Sequence, residues 1–232
     1  MEAGARTLGR SIDWRSTTEQ VAAALREAIL SGEILPGTPL REVRLAGTIG
    51  VSRNTVREAT RTLAAEGLVR YKRNRGVVVT ELSDEDVDEL YQARGVLEWA
   101  GAEALRSSRR EAVFEALGRL VDDIEAAFAH GDVAGVLDGD RRFHATLVSA
   151  LGNPRLDQCY AGLQRELRLA LTLTERSSVE LGRQRDDHRV LLEAIRRGTA
   201  REARKALAEH LATGVSELHR LRELVVRLRG GR

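Results

Sequence analysis

Asp140 and His144 stand four residues apart in the segment DRRFH. On a helix that spacing projects both side chains from one face, where they can ligate a single ion. Two further imidazoles, His188 and His210, come from later segments of helical pattern. Three imidazoles and a carboxylate suit a borderline divalent metal, zinc first, with nickel or manganese as alternatives, and leave positions for water or ligand oxygens. The same residues also suit the plainer role of hydrogen-bonded core side chains, which a single buried histidine fills more often than that of a ligand. A second constellation is cationic. Ser52, Arg53, Asn54, Thr55 and Arg57 can all hydrogen-bond phosphates or base edges, and Lys72-Arg73-Asn74-Arg75-Gly76 concentrates further charge in one turn.

The elements that must position these groups follow from periodicity. Thr17 to Leu30 places Val21, Leu25, Ile29 and Leu30 on one face, behind a capping-box pattern of Thr17 and Gln20. Leu35-Pro36-Gly37 turns the chain into a second short helix, on which Leu45, Ala46 and Ile49 recur at helical spacing. Gly50 breaks that helix and Ser52 can cap the next, whose buried stripe is Val56, Ala59, Leu63 and then Leu68. Gly67 stops the third helix. Leu68 to Tyr71 and Val77 to Val79 then read as two strands around the basic turn. The pattern is a winged helix-turn-helix: three helices and a small hairpin wing, over residues 16–80, with residues 1–15 a flexible arm. Beyond Thr80, helical periodicity predicts helices at 83–106, 109–129, 132–151, 154–175, 178–197 and 199–228, an all-α antiparallel bundle occupying 81–232.

Charge divides the chain at the same place. Residues 1–80 hold 13 Lys and Arg against 8 Asp and Glu, a balance of +5, while the remainder holds 24 against 27, a balance of −3. The total of +2 hides a basic first third suited to phosphate. No apolar run approaches the roughly 18 residues that span a bilayer, and no apolar signal core opens the chain, so a soluble cytoplasmic protein is expected. Cys159 is the only cysteine, which excludes an intrachain disulfide. The sequence shows no HExxH, nucleophile elbow or Gly-rich phosphate loop beside the histidines, which argues against a metal-dependent hydrolase.

The run LREVRLAGTIGVSRNTVREATRTLAAEGLV, leading into a wing with an Arg-Gly tip at Arg75-Gly76, resembles the N-terminal domain of the GntR family of bacterial transcription regulators. The resemblance implies DNA contacts from Arg41, Arg44, Ser52, Arg53, Asn54, Thr55, Arg57, Arg75 and Gly76. Many members carry arginine or lysine where this chain has Val43, which leaves Arg41 or Arg44 to make that phosphate contact, or leaves it unmade. The D-x-x-F-H, D-H-x-x-L-L-x-A-I and E-H-L segments are similar to the effector domain of the FadR-type branch, called FCD. That resemblance implies that Asp140, His144, His188 and His210 hold a metal, and that the metal helps bind a small carboxylate effector. Arg94, in ELYQARGVLE, matches an arginine that reaches the effector cavity, although an intrahelical ion pair with Glu98 or Glu89 fits the same spacing. Asn153 matches a family position as well, and turn or cap chemistry also suits it. The implied protein is a homodimeric repressor that reads a pseudo-palindromic operator under control of an organic acid. A bundle serving only to dimerise the chain is the alternative.

Overall fold

The computed structural model describes residues 16–108, 110–172 and 188–230. The expected arm at 1–15 lies outside the described residues, as does the first part of the helix expected at 178–197. The chain folds as two compact units that divide between Thr80 and Glu81.

In the first unit, helix α1 (Thr17–Leu30) begins one residue earlier than the sequence pattern suggests, because Ser16 and not Thr17 is its cap. The Ser16 hydroxyl accepts from the Glu19 backbone N–H at 3.2 Å, and Glu19 reaches back to the Ser16 N–H at 2.6 Å. This satisfies two of the helix's orphan donors reciprocally. Helices α2 (Glu42–Ile49) and α1 both pack on α3 (Arg53–Ala65). Ile29, Val56, Ala59, Leu63 and Leu68 form a core without solvent exposure, but Ile49, expected inside, is 43% exposed. It lies in the last turn of α2, and that short helix buries only Ala46. Arg26 donates from Nε and Nη2 to both carboxylate oxygens of Glu66, at 2.7 and 2.5 Å, tying α1 to the end of α3.

Strands β2 (Val69–Lys72) and β3 (Gly76–Val79) form the predicted hairpin. Its turn uses left-handed backbone at Asn74, φ 64°, where asparagine is among the few tolerant side chains. The sequence pattern does not announce β1 (Pro39–Leu40), which pairs antiparallel with β3 and gives a three-stranded sheet in the order β1-β3-β2. A strand of two residues carries no alternation for a pattern to detect.

The second unit is built around α4 (Asp84–Ser108), which contacts α6 (Val133–Ser149), α7 (Pro154–Leu171), α8 (His188–Arg197) and α9 (Ala200–Gly230). Helix α5 (Glu111–Ala129) packs along α6. Two apolar clusters make the core. The larger is centred on Leu105, Leu117, Ile124, Phe143, Leu147 and Ile195. The smaller joins Leu82, Val87, Leu90, Leu167 and Leu218. Arg222 bonds the Leu82 carbonyl and pairs with Asp84 at 3.0 Å, fixing α9 to the start of α4.

The stripe that α4 buries runs Val87, Leu90, Arg94, Glu98, Gly101 and Leu105, so two charged side chains occupy positions in phase with the apolar ones. At Gly101 a Cβ would overlap the Leu147 carbonyl group and come within 3.0 Å of Val148 Cα. The bare backbone lets α6 approach α4 closely, one turn away from both Glu98 and His144. Helix propensity alone would make Gly101→Ala stabilising by about 1 kcal/mol. Because the clash is with backbone, the variant is instead expected to lose about 1–3 kcal/mol in denaturant unfolding. A variant as stable as the parent would contradict this close approach.

Candidate functional site

Four donor atoms converge where α6, α8 and α9 meet. His144 Nε2 lies 3.1 Å from His210 Nε2 and 3.3 Å from His188 Nε2, while Asp140 Oδ1 lies 3.2 Å from His188 Nε2 and 3.6 Å from His144 Nε2. All four ligand atoms fall within 4.8 Å of one another. Each residue arrives by a simple route. Asp140 and His144 are one turn apart on α6, His188 opens the first described turn of α8, and His210 sits midway along α9. Phe143 meets the rings of His144 and His188 edge-on, at 5.4 and 4.8 Å between centroids, and so limits their rotation.

Imidazole nitrogens and a carboxylate oxygen packed this closely present lone pairs to one another, which is costly unless protons or a cation lie between them. Tetrahedral donors at about 2.0–2.1 Å from an ion are separated by roughly 3.3 Å, close to the 3.1–3.6 Å that separate His144 from His210 and the three pairs among Asp140, His144 and His188. The donor set therefore fits a divalent metal. Burial, reinforced by the neighbouring His144 and His188, pushes His210 down to about 3 and keeps it neutral. Burial opposes ionisation of Asp140, but the charge and hydrogen bonds of His144 and His188 outweigh it and hold the carboxyl well below its usual range.

Behind the cluster stands Glu98, which has no solvent exposure. Its Oε2 accepts from His144 Nδ1 at 2.7 Å, and its Oε1 accepts from Tyr160 Oη at 2.6 Å and from Arg94 Nε at 2.9 Å. Burial alone would raise this carboxyl, yet His144, Arg94 and Tyr160 together bring it down to about 2. A carboxylate facing Nδ1 suits the His144 tautomer that would leave Nε2 free for an ion, the orientation a metal-ligating histidine needs. Sequence reasoning named Glu98 only as a partner for Arg94 and missed Tyr160. The phase of Arg94 and Glu98 within an otherwise apolar stripe was the available signal for Glu98.

The cluster forms one wall of a cavity of about 130 Å³ lined from α4, α5, α6, α7, α8 and α9. Arg94 also lines it, and its guanidinium lies 4.9 Å from the Tyr91 ring centroid. Arg94 thus faces the cavity while its ion pair with Glu98 engages Nε. Glu89 is not its partner among the described residues. Asn153, expected at the effector site, does not line this cavity. Its Oδ1 accepts from the Arg155 N–H at 3.0 Å and caps α7 ahead of Pro154. His130 caps the end of α5 at the surface, and His219 is half-buried beside Asp88 at 3.2 Å.

In the first unit, Arg53, Asn54 and Arg57 are exposed on α3, whose buried residues are Val56, Ala59, Thr60 and Leu63. Ser52 caps that helix, accepting from the Thr55 N–H at 3.0 Å, and its hydroxyl also meets the Thr55 hydroxyl at 2.8 Å. Arg41, Arg44, Arg75 and Gly76 are exposed too, and Val43 is 61% exposed between the first two. None of Arg41, Arg44, Arg53, Arg57 and Arg75 forms an ion pair with another described residue.

Comparison with known proteins agrees with this division. Residues 17–79 match the family of bacterial regulatory proteins, gntR family, and residues 89–213 match the FCD domain. The gluconate operon transcriptional repressor of Bacillus licheniformis is 28% identical over 78% of this chain and 76% of its own length. An HTH-type transcriptional regulator of Agrobacterium vitis, from the TAR-I ttuE-ttuC' intergenic region, is 33% identical over 61% of this chain and 84% of its own. The crystal structure of a transcriptional regulator GntR from Rhodococcus sp. RHA1 is similar at a TM-score of 0.72 and 29% identity, over 88% of this chain and 98% of that one.

The Glu98 network makes a stability prediction. Tyr160→Phe removes one donor to a buried carboxylate and is expected to cost about 1.5–3 kcal/mol. Glu98→Ala, which leaves Arg94 and His144 buried without their counter-charge, is expected to cost about 3–5 kcal/mol. Urea unfolding of the three proteins would show this ranking, and equal midpoints would refute it.

Proposed function

The chain belongs to the GntR family of bacterial regulatory proteins and carries an FCD domain, so it is a DNA-binding transcriptional regulator and not an enzyme; on that premise we propose that it is a repressor whose operator affinity is set by a small carboxylate bound at a metal-containing site in the second unit. The observation that carries this reading is the convergence of Asp140, His144, His188 and His210 at the wall of a cavity that Arg94 also lines. These four residues would hold the metal, zinc first, with nickel or manganese as alternatives. When bound, such an ion offers a Lewis-acidic position to a carboxylate oxygen. Arg94 supplies a guanidinium suited to orient the same carboxylate. Glu98 holds both Arg94 and His144 in place.

On the DNA side, Arg53, Asn54 and Arg57 of α3 are the residues available to base edges in a major groove, Ser52 and Thr55 lie at its start beside the phosphates, and Arg75 with Gly76 forms the wing tip. Arg41 and Arg44 flank the exposed Val43 and supply the cations of that surface. A homodimer would read a pseudo-palindromic operator with one such unit per half-site. An acid that binds two arrangements of the bundle with different affinity shifts their populations, and a coupling of about 1–3 kcal/mol changes operator affinity by roughly 5- to 150-fold. Among the described residues no helix is long and apolar enough to cross a membrane, in keeping with a regulator that acts in the cytoplasm.

Two measurements separate the halves of this proposal. Arg57→Ala is expected to lower specific operator affinity by about 1–3 kcal/mol with an unchanged melting profile, read by fluorescence anisotropy at fixed salt. Unaltered affinity would remove Arg57 from the interface. Joint replacement His144→Ala and His188→Ala should abolish the metal that copurifies with the protein, read by elemental analysis. Full occupancy in that variant would place the metal elsewhere or make the histidines structural, leaving a bundle that only dimerises the chain.

A further inference from the structure

The wall facing the metal-type cluster is apolar. Leu137 lies one turn before Asp140 on α6, and Ile124, Leu167, Leu171, Leu218 and Leu221 continue the lining from α5, α7 and α9. The polar side chains that also reach the cavity away from the cluster already have local partners. Asp132 accepts the Gly135 N–H at 3.0 Å as the cap of α6, and Thr213 donates to the Glu209 carbonyl at 3.0 Å. Glu217 takes Arg220 on both oxygens, at 2.6 and 3.0 Å. The Tyr91 hydroxyl stands beside Arg94, and burial raises it to about 12, so it stays protonated.

We propose that the effector is a monocarboxylate with an aliphatic body, and not a polyhydroxylated or a dicarboxylic acid. The inference rests on the carboxylate-sensing reading above and sharpens it. Hydroxyl groups along the ligand's chain would leave water and meet leucine and isoleucine, and each unpaired hydroxyl costs binding free energy. A second carboxylate would find no cation other than Arg94 among the lining residues outside the cluster, where the remaining charged side chains are Asp132 and Glu217, the latter already paired with Arg220. The Asp132 carboxylate repels it. A volume of about 130 Å³ holds roughly ten water-sized groups at about 10–15 Å³ each, which admits a carboxylate head with a chain of about five or six carbons.

Three acids of six carbons test the proposal on the full-length protein as purified: hexanoate, gluconate and adipate. Isothermal titration is expected to give hexanoate at least tenfold tighter than either of the others. In the Leu137→Asn variant, which places a hydrogen-bonding amide on the same wall at a half-buried position, the ratio of hexanoate to gluconate affinity should fall at least threefold. A change in thermal midpoint with hexanoate provides a second readout should that variant be poorly folded. Gluconate or adipate binding as tightly as hexanoate would overturn the assignment of ligand class while leaving carboxylate sensing intact. Binding by none of the three would overturn both, and elemental analysis would still report independently on the metal.

Discussion

A carboxylate with no contact to water holds the second unit together. Glu98 is tolerated inside the bundle only because Arg94, Tyr160 and His144 all donate to it, and the free energy of an unpaired charge at that depth would exceed what a small domain has in reserve. Those three donors come from α4, α7 and α6. The ionic interaction therefore fixes the mutual position of three helices, and two of its donors are the groups to which sensing is assigned. Close approach at Gly101 is the geometric condition for it, since a side chain there would press on the α6 backbone one turn from His144. The cost of burial and the precision of the site have one origin.

Helix α9 carries this local order further. It supplies His210 to the donor cluster, Leu218 and Leu221 to the cavity wall, and Arg222 to the carbonyl of Leu82 at the start of α4. Under the proposed sensing role, a ligand that repositioned α9 would act on the start of α4 through Arg222. The apolar clusters on either side of the cavity pack like crystals and resist gradual deformation, so such a shift favours discrete arrangements. In the first unit the same economy appears at smaller scale. Val56, Ala59 and Leu63 bury one face of α3 completely, and Arg53, Asn54 and Arg57 remain exposed.

Local signals were legible in the sequence where short-range physics decides. Asp140 and His144 lie on one helix face, and Ser52 at a helix start caps it, whatever the rest of the chain does. The apolar stripe of α1 and the hairpin around Asn74 were equally plain. What escaped were pairings over long separations. Glu98 meets His144 and Tyr160 at 46 and 62 residues' distance, and no spacing rule reports such a meeting. Only its phase within the buried stripe of α4 marked it. Strand β1 is too short for periodicity, Ile49 follows its period but sits partly exposed at a helix end, and Asn153 is occupied by the cap that its own Pro154 turn demands. His188 and His210 stood out by residue type on later helical segments, and the family resemblance strengthened their grouping with Asp140 and His144. Their convergence on Asp140 and His144 in three dimensions is an independent observation of geometry.

The most direct test of the account asks whether the bundle's ion controls what the winged unit reads. Purified protein would be used to capture sheared genomic DNA at moderate salt, with and without prior chelation, and the retained DNA sequenced. The account predicts enrichment of one pseudo-palindromic sequence, with a change in its recovery of about fivefold or more on chelation, the lower end of ordinary coupling energies. Recovery spread evenly over the genome, or enrichment indifferent to chelation, would contradict it.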